Sequence, residues 1–572
     1  LHSIDNYQIR NEAPDFPMVS EFHLSGPMKH IVYFLLVTLA LAGCGNGAEN
    51  KNEESESRAN ATRNISSRDL SITKANSYSD LFLDSAALTD FIAGHHVSDT
   101  VANRMISFYN ARNYQYAWFT SDGFTEEAQG FWNLFDHYLT TSGDTAKANK
   151  TLEKQMNRLL ADSFTVSAGN KDLRQTELRL TQSLFTYASK NFEKGYVKRK
   201  ELERFVPSKK VDPIQLADSL LSKKHKDNKY FEDINANYKS LKEQLRKYMD
   251  LNKRGTLPRI PEEAKLLKKG KSSPHIPVIK QYLQITGDLA GNDTSTVFND
   301  TLAEGITHIQ ERFGMKGTGT LSKELITEMN VPLRDRIGQI LINMGRMRWM
   351  PSQPNGTLII INIPEFILHL FENGKKEFDM NVVVGKDGHS TTQFTGTLNQ
   401  VVFAPYWNIP PRIVTDEILP QVEKNKHYLE ENEMEDQGDK DGDGIPDIRQ
   451  LPGDKNSLGK VKFLFPNSFD IYLHDSPAKS LFNQSKRAFS HGCIRLAEPQ
   501  KMAEYLLRND PDWDATKISD AMNAKEQKVV KLKDKAEVFI TYYTAWVDDA
   551  GRLNFRDDIY GHDKKIKSML FQ

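Results

Sequence analysis

Hydrophobic and polar positions divide the 572-residue chain into a helical front and a strand-rich rear. Between residues 76 and 265 apolar side chains recur three and four positions apart, the spacing of one helix face. Val101, Met105 and Phe108 form one such stripe. Leu178, Thr181, Leu184, Phe185 and Ala188 form another, running towards Gly195, a residue suited to a C-cap. Tyr109, Arg112, Tyr114, Trp118 and Phe119 crowd one short stretch, and aromatic residues at this spacing read as core before ligand groove. The lysine-rich runs Ser222 to Lys226 and Lys265 to Lys271 are short and read as solvated faces and linkers. The expectation is a helical scaffold over residues 75–270 that contributes bulk and orientation.

After Trp349-Met350-Pro351 the pattern changes to β-rich runs, Leu358 to Ile363 and Glu365 to Phe371. Asn373-Gly374 is a strong hairpin signal, and Glu377 to Gly385 returns the chain. Val401 to Phe403, Lys462 to Phe465 and Ala536 to Tyr543 add further strands, which suggests an antiparallel sandwich or a barrel-like sheet. The fold class is therefore α+β and multidomain, as a chain too long for a single core requires.

Between the two halves lie short apolar helices. Pro277 to Leu283 is followed by the turn signal Thr286-Gly287-Asp288, then by Phe298, Leu302, Ile306, Gln310 and Phe313-Gly314, then by Leu321 to Asn330. Over residues 273–332 this order resembles the peptidoglycan-binding type 1 module, a three-helix unit. Gly317-Thr318-Gly319 stands where that pattern has Asp-Gly. A helical spacer without a ligand is the alternative.

Apolar and charged fractions of 38% and 26% are those of a globular protein, and a net charge of −1 gives no reason to expect nucleic acid as a partner. The first 75 residues add an address. Met28-Lys29-His30 precedes an apolar run from Ile31 to Gly43, too short to span a bilayer, so residues 28–43 read as a signal peptide. Its end, Leu41-Ala42-Gly43-Cys44, resembles the bacterial lipobox, which implies cleavage before Cys44 and lipidation of its thiol. Residues 1–27 read as an extension from a start site called too early, and residues 44–74 as the lipidated cysteine and a flexible polar tether. The implied location is the cell envelope, periplasmic and lipid-anchored to a membrane. Gly45 lacks the aspartate of inner-membrane retention, which favours the outer membrane.

Cys493, one of only two cysteines, lies in Ser490-His491-Gly492-Cys493-Ile494-Arg495, with Tyr472-Leu473-His474-Asp475 upstream. A cysteine nucleophile needs a base within hydrogen-bond reach, which the fold brings to it. Fifteen residues separate His474 from Ser490. This arrangement is similar to the YkuD-type L,D-transpeptidase motif, and the flanks Asn381 to Gly385, Pro405 to Pro410 and Phe465 to Ser468 agree with it. The stretches Phe108 to Tyr114, Leu180 to Tyr187, Thr544 to Asp548 and Phe555 to Tyr560 point to the large multidomain branch of that family. The resemblance implies a mainly-β catalytic domain over residues 355–546, a capping insertion at about 409–458 and a C-terminal tail at 547–572. Asp475 stands where many smaller members have glycine.

The implied reaction is formation of 3→3 crosslinks in peptidoglycan through a cysteine thioester, with donor and acceptor stem peptides as partners and no cofactor needed for catalysis. Cys493 fits the nucleophile and His474 the general base and acid. Gly492 permits a backbone path that would aim its own and the Cys493 N–H groups at an oxyanion. The Asp475 backbone carbonyl is expected to orient His474. Ser490, His491, Tyr472 and Trp407 are expected to line the cleft, and Arg495 to contact substrate or brace the site. An L,D-carboxypeptidase using the same Cys/His site, or a non-catalytic wall-binding lipoprotein, are the competing readings. A papain-like protease is disfavoured, because the cysteine comes late and follows strands.

One further pattern lies in the insertion. Asp439, Asp441, Asp443, Ile445 and Asp447, with Gly444 at the turn, match the first nine positions of an EF-hand-like calcium loop. Position 12 is Gln450 in place of glutamate, so the expectation is a weak structural Ca2+ site.

Overall fold

The computed structural model describes residues 65–572, apart from 144–145, 162–165, 167–168, 192–204, 223–234, 256 and 441. The signal peptide, Cys44, the tether as far as Asn64, Gly195 and Asp441 therefore lie outside the described residues. Among those described, no helix is long and apolar enough to cross a membrane.

The front half is helical, as its periodicity demands. The helix Asp99–Asn110 buries Met105 and Phe108. Helix α1, Glu126–Ser142, starts where Thr125 accepts a bond from the Ala128 amide and stops at Gly143 in the left-handed region. Helix α2, Lys171–Asn191, buries Leu178, Thr181, Leu184, Phe185 and Ala188 on one face. Glu177 is fully buried beside them and accepts from the Ala117 amide at 2.7 Å, the Trp118 amide at 3.0 Å and the Tyr109 hydroxyl at 2.9 Å. The aromatic stretch from Tyr109 to Phe119 is thus core, pinned to α2 through one carboxyl group.

Three helices, Ile276–Thr286, Asp300–Arg312 and Lys323–Met329, occupy the middle module. Gln310 holds the Gly317-to-Thr320 loop, accepting from the Thr318 and Gly319 amides and donating to the Thr320 carbonyl. A buried Asp288–Arg312 ion pair at 2.5 Å closes the turn after the first of these helices. Helix α3, Leu333–Arg348, then runs buried to the catalytic half.

The rear half is built around a nine-stranded sheet. Its strands are β1 Thr357–Asn362, β2 Ile367–Glu372, β3 Lys375–Gly385, β4 Phe394–Phe403, β5 Val461–Leu464, β6 Leu473–His474, β7 Ala488–Ser490, β8 Ile494–Leu496 and β9 Lys528–Thr541. The spatial order is β7-β3-β8-β6-β5-β4-β9-β1-β2, and β2 also pairs with β3, so the sheet closes on itself as a barrel. Asn373 and Gly374 both have positive φ, as a two-residue β2–β3 hairpin turn requires. The antiparallel expectation holds for most neighbours, but β1–β9, β6–β8 and β3–β7 are parallel. The barrel core is apolar, with Ile359, Leu368, Val401, Phe463, Leu473 and Ile494 all fully buried.

Residues 547–572, read above as a tail, are built into the helical half. Ala545–Val547 and Leu553–Phe555 form a hairpin, and helix α4, His562–Leu570, follows. Phe555, Ile566 and Phe571 belong to the helical core. Arg346 of α3 bridges Glu126 of α1 at 2.5 Å and Asp563 of α4 at 2.6 Å. A cavity of about 530 Å³ lies between helical half and barrel, walled by Leu220, Trp349, Phe394 and Ile540, and Cys493 is not part of it.

Candidate active site

Strand β5 alternates in burial, with Val461 and Phe463 in the barrel core and Lys462 on the opposite face. Lys462 pairs in register with His474 of β6, which pairs with Arg495 of β8. Residues paired across strands share a face, so all three stand on the outer surface of the barrel. Cys493 precedes β8, and the Ile494 amide donates to the Tyr472 carbonyl at 3.2 Å, placing Tyr472 and Cys493 side by side.

The turn before the nucleophile is held by side chains. Ser490 is buried; its hydroxyl donates to the Cys493 carbonyl at 2.6 Å and accepts from the Gly492 amide at 3.2 Å. Thr391 donates to the Gly492 carbonyl at 2.7 Å and accepts from the Gly385 amide at 2.9 Å. Gly492 has φ of 118°, a conformation that an L side chain rarely adopts. Its N–H is engaged by Ser490, so in this conformation it is turned to its own loop.

Cys493 is half-buried, and its sulfur lies 3.6 Å from the Asp470 carbonyl. Burial pushes the thiol above its ordinary value, while hydrogen bonds from the Tyr472 amide and hydroxyl and the charge of Arg495 act in the opposite sense. Tyr472 is itself held high by burial and by the sulfur, and the Trp407 side chain hydrogen-bonds its hydroxyl. His474 is buried, which with the charge of Arg495 lowers its ring to about 3. Backbone groups of Asp475 and Leu458 favour the protonated ring, yet Nδ1 closes no hydrogen bond of ordinary geometry. The resting pair is a neutral thiol and a neutral imidazole.

Residues 356–519 match the family model described as the YkuD L,D-transpeptidase catalytic domain, and residues 103–245 match that described as the scaffold domain. Residues 356–519 are thus similar to a YkuD-type L,D-transpeptidase catalytic domain. A relative in Haemophilus influenzae, described as "Putative L,D-transpeptidase", is 31% identical over 242 residues, covering 40% of this chain and 48% of that protein. The chain thus spans about half the length of the curated relative it matches. Among solved structures, an L,D-transpeptidase from Stackebrandtia nassauensis aligns at 14% identity and a TM-score of 0.21, covering 48% of this chain and 96% of that one. One from Mycobacterium smegmatis aligns at 15% identity and a TM-score of 0.18, covering 33% and 60%. At such TM-scores these likenesses add nothing to the barrel and site described above.

The barrel domain carries a roof over this face. Trp407–Asn408, Met434–Asp436 and Ile448–Gln450 form a three-stranded sheet with a small core of Ile409, Val414, Ile418 and Ile448. The roof meets the site through Trp407 and also through Glu417, whose carboxylate lies 2.7 Å from Nε2 of His491. His491 also meets the His389 ring edge-on at 4.9 Å. The expected cleft residues Tyr472, Trp407, Ser490, His491 and Arg495 are thus brought around Cys493 in different capacities, Ser490 as a brace of the turn.

Besides the backbone interaction with the His474 ring, Asp475 acts through its side chain. The carboxylate accepts from the Lys460 and Ser476 amides at 2.9 and 2.7 Å and pairs with Lys479 at 2.5 Å. It presses on Gly459, where an added Cβ would come within 2.4 Å of its carboxyl carbon. Aspartate in place of glycine after the histidine therefore ties the roof's return loop to β6.

In the calcium-like loop, Asp439 accepts from the Gly442 and Gly444 amides and Asp443 from the Ile445 amide. Asp447 accepts from the Lys440 amide. Among the described residues, no group of three or more acidic, histidine or cysteine side chains is placed to hold a metal ion. Gln450 is buried and spent on the Asn432 and Lys455 carbonyls and the Ser457 amide. Asp441, at the third position of the pattern, lies outside the described residues, so the loop's ligand set is described only in part.

Sequence reading passed over Lys462, Thr391, Asp470 and Glu417. Lys462 left a signal, a lone cation inside the apolar run Val461 to Phe465. The other three are ordinary polar residues whose importance arises from contacts distant in sequence.

Proposed function

We propose that the protein is a peptidoglycan L,D-transpeptidase that forms 3→3 crosslinks between stem peptides through a thioester on Cys493. The observation that carries this reading is the pairing of β6 with β8, which sets His474, Tyr472 and Arg495 around a cysteine held on a braced turn. The Cys493 sulfur attacks the carbonyl carbon of the third residue of a donor tetrapeptide, and the C–N bond to the terminal D-alanine breaks. His474 takes the thiol proton and passes it to the leaving amine. The side-chain amine of a second stem then attacks the thioester, forming the new amide and returning the proton to sulfur.

Because the resting ring is neutral and the thiol un-ionised, proton transfer accompanies attack in this scheme, with Tyr472 donating to sulfur as charge develops. The lipobox-like sequence at Cys44 supports a periplasmic, membrane-anchored location, and the three helices at 273–332 support a wall-binding role. The calcium reading rests on sequence spacing alone.

Purified protein incubated with disaccharide-tetrapeptide is expected to yield a crosslinked dimer by mass spectrometry, and Cys493→Ala none. Tripeptide as the sole product would replace transfer by hydrolysis. No product from the wild type would overturn both.

A further inference from the structure

Two cations flank the imidazole of His474. Lys462 and Arg495 are its in-register neighbours on β5 and β8, so they stand on either side of it on one face. Lys462 Nζ donates to the Tyr406 carbonyl at 3.2 Å and lies 5.8 Å from the centroid of the Tyr472 ring. The charges of Lys462 and Arg495 both act on the Cys493 sulfur. Among the described residues no carboxylate lies within ion-pair distance of either cation, and Nε of Arg495 is buried without a hydrogen-bond partner. Both side chains are half-buried, beneath a roof anchored at Trp407.

Cations removed from water without a counter-charge disfavour folding, and such an arrangement is relieved when an anion arrives. The thiol supplies none at rest. Lys462 is also not the group that governs the thiol, since Tyr472, Asp470 and Arg495 act on it more strongly. What remains is an anion brought by the substrate, within reach of a sulfur that must attack a carbonyl.

We propose that Lys462 and Arg495 form a carboxylate-binding site beside the nucleophile, seating a free carboxylate of the acyl-donor peptide. The proposal rests on the reading of Cys493 as the acylated residue. Lys462 is here a substrate-binding group with no part in proton transfer. A planar guanidinium on one side and a point charge on the other can hold the two oxygens of one carboxylate. The site would fix the donor's direction across β6, so that its carbonyl carbon rather than a neighbouring amide faces the sulfur.

The test measures binding without chemistry. In full-length Cys493→Ala protein, the affinity of an acidic tetrapeptide donor is compared with that of the same peptide with its carboxylates amidated. Adding Lys462→Met is expected to weaken the acidic donor about tenfold, the loss of one charge-assisted hydrogen bond, and to leave the amidated donor unchanged. Lys462→Arg is expected to restore most of the affinity. Equal weakening of both donors, or of neither, would overturn the proposal and make Lys462 a packing residue that holds Tyr406. If Cys493→Ala distinguishes the donors but wild type forms no acyl-enzyme, the carboxylate site stands and the transpeptidase reading fails. If it binds neither donor, both fail.

Discussion

Replacing Tyr472 by phenylalanine isolates one hydrogen bond to the nucleophile. The hydroxyl donates to the Cys493 sulfur and has its own ionisation pushed well up by burial, so it stays a neutral donor throughout the accessible pH range. A hydrogen bond to a charged group contributes about 1.5–3 kcal/mol. That corresponds to about one to two pKa units, at 1.36 kcal/mol per unit. The sign is fixed: a bond to the thiolate favours the charged form, so its loss raises the thiol further. Even at the ordinary value of 9.0 only about 1% of a thiol is ionised at pH 7, and burial already places Cys493 above that.

A less acidic thiol is also intrinsically more nucleophilic, with a Brønsted slope of about 0.4–0.5, so roughly half of the loss in thiolate is recovered in rate per thiolate. The expected fall in alkylation by iodoacetamide at neutral pH is therefore about three- to fifteenfold. Intact-mass kinetics followed from about pH 6 to 10 measure it: both proteins should gain rate with pH without a neutral plateau, Tyr472→Phe lagging throughout. Coincident curves, or a variant inflecting at lower pH, would refute the hydrogen bond and with it the charge-state argument for Cys493.

Glu177 is buried and raised to about 7, so the folded protein binds its proton more tightly than the unfolded chain. That contribution is full below about pH 4.5 and is lost as pH rises towards 7, by about 3 kcal/mol at most. Denaturant midpoints should show the slope, and Glu177→Gln should flatten it; identical slopes in the two proteins would refute the assignment. In Gly130→Ala the new Cβ would lie 2.7 Å from the Trp349 ring, so the variant should lose about 1–3 kcal/mol despite its better helix propensity; a raised thermal midpoint would contradict the close approach. Calcium added to the wild type should release or absorb heat and raise the melting temperature, and Asp441→Ala should abolish both; no heat in the wild type ends the calcium reading.

Much of the architecture could be read locally. The Asn373-Gly374 turn, the strand expected from Lys462 to Phe465 and the helical stripe from Leu178 to Ala188 each record a local choice, and each appears in the structure, the strand displaced by one residue to Val461–Leu464. The parallel pairings of β1 with β9 and of β6 with β8 could not be read this way. The first joins residues nearly 180 positions apart, as Ile361 and Ile540 do, and no local pattern states such a partner. The last 26 residues, read as a tail, carry five apolar anchors among polar neighbours, Val547, Leu553, Phe555, Ile566 and Phe571, that seat them in the helical core.

The candidate site shows the same division. Cys493 and His474 stand out by chemistry and spacing, but what surrounds them is set by register. A shift of one residue between β5 and β6 would turn Lys462 to the other face, away from His474. Such a shift would put Val461 and Phe463, both fully buried, outside the barrel, so the apolar core of the strand is what fixes the charge beside the imidazole. Asp475 works through the same dependence. Its carboxylate holds the Lys460 amide at the entrance to β5, and so couples the residue after the histidine to the strand that carries the lysine. The electrostatics around Cys493 thus follow from how the barrel packs, and a substitution that loosens β5 should alter the thiol without touching it.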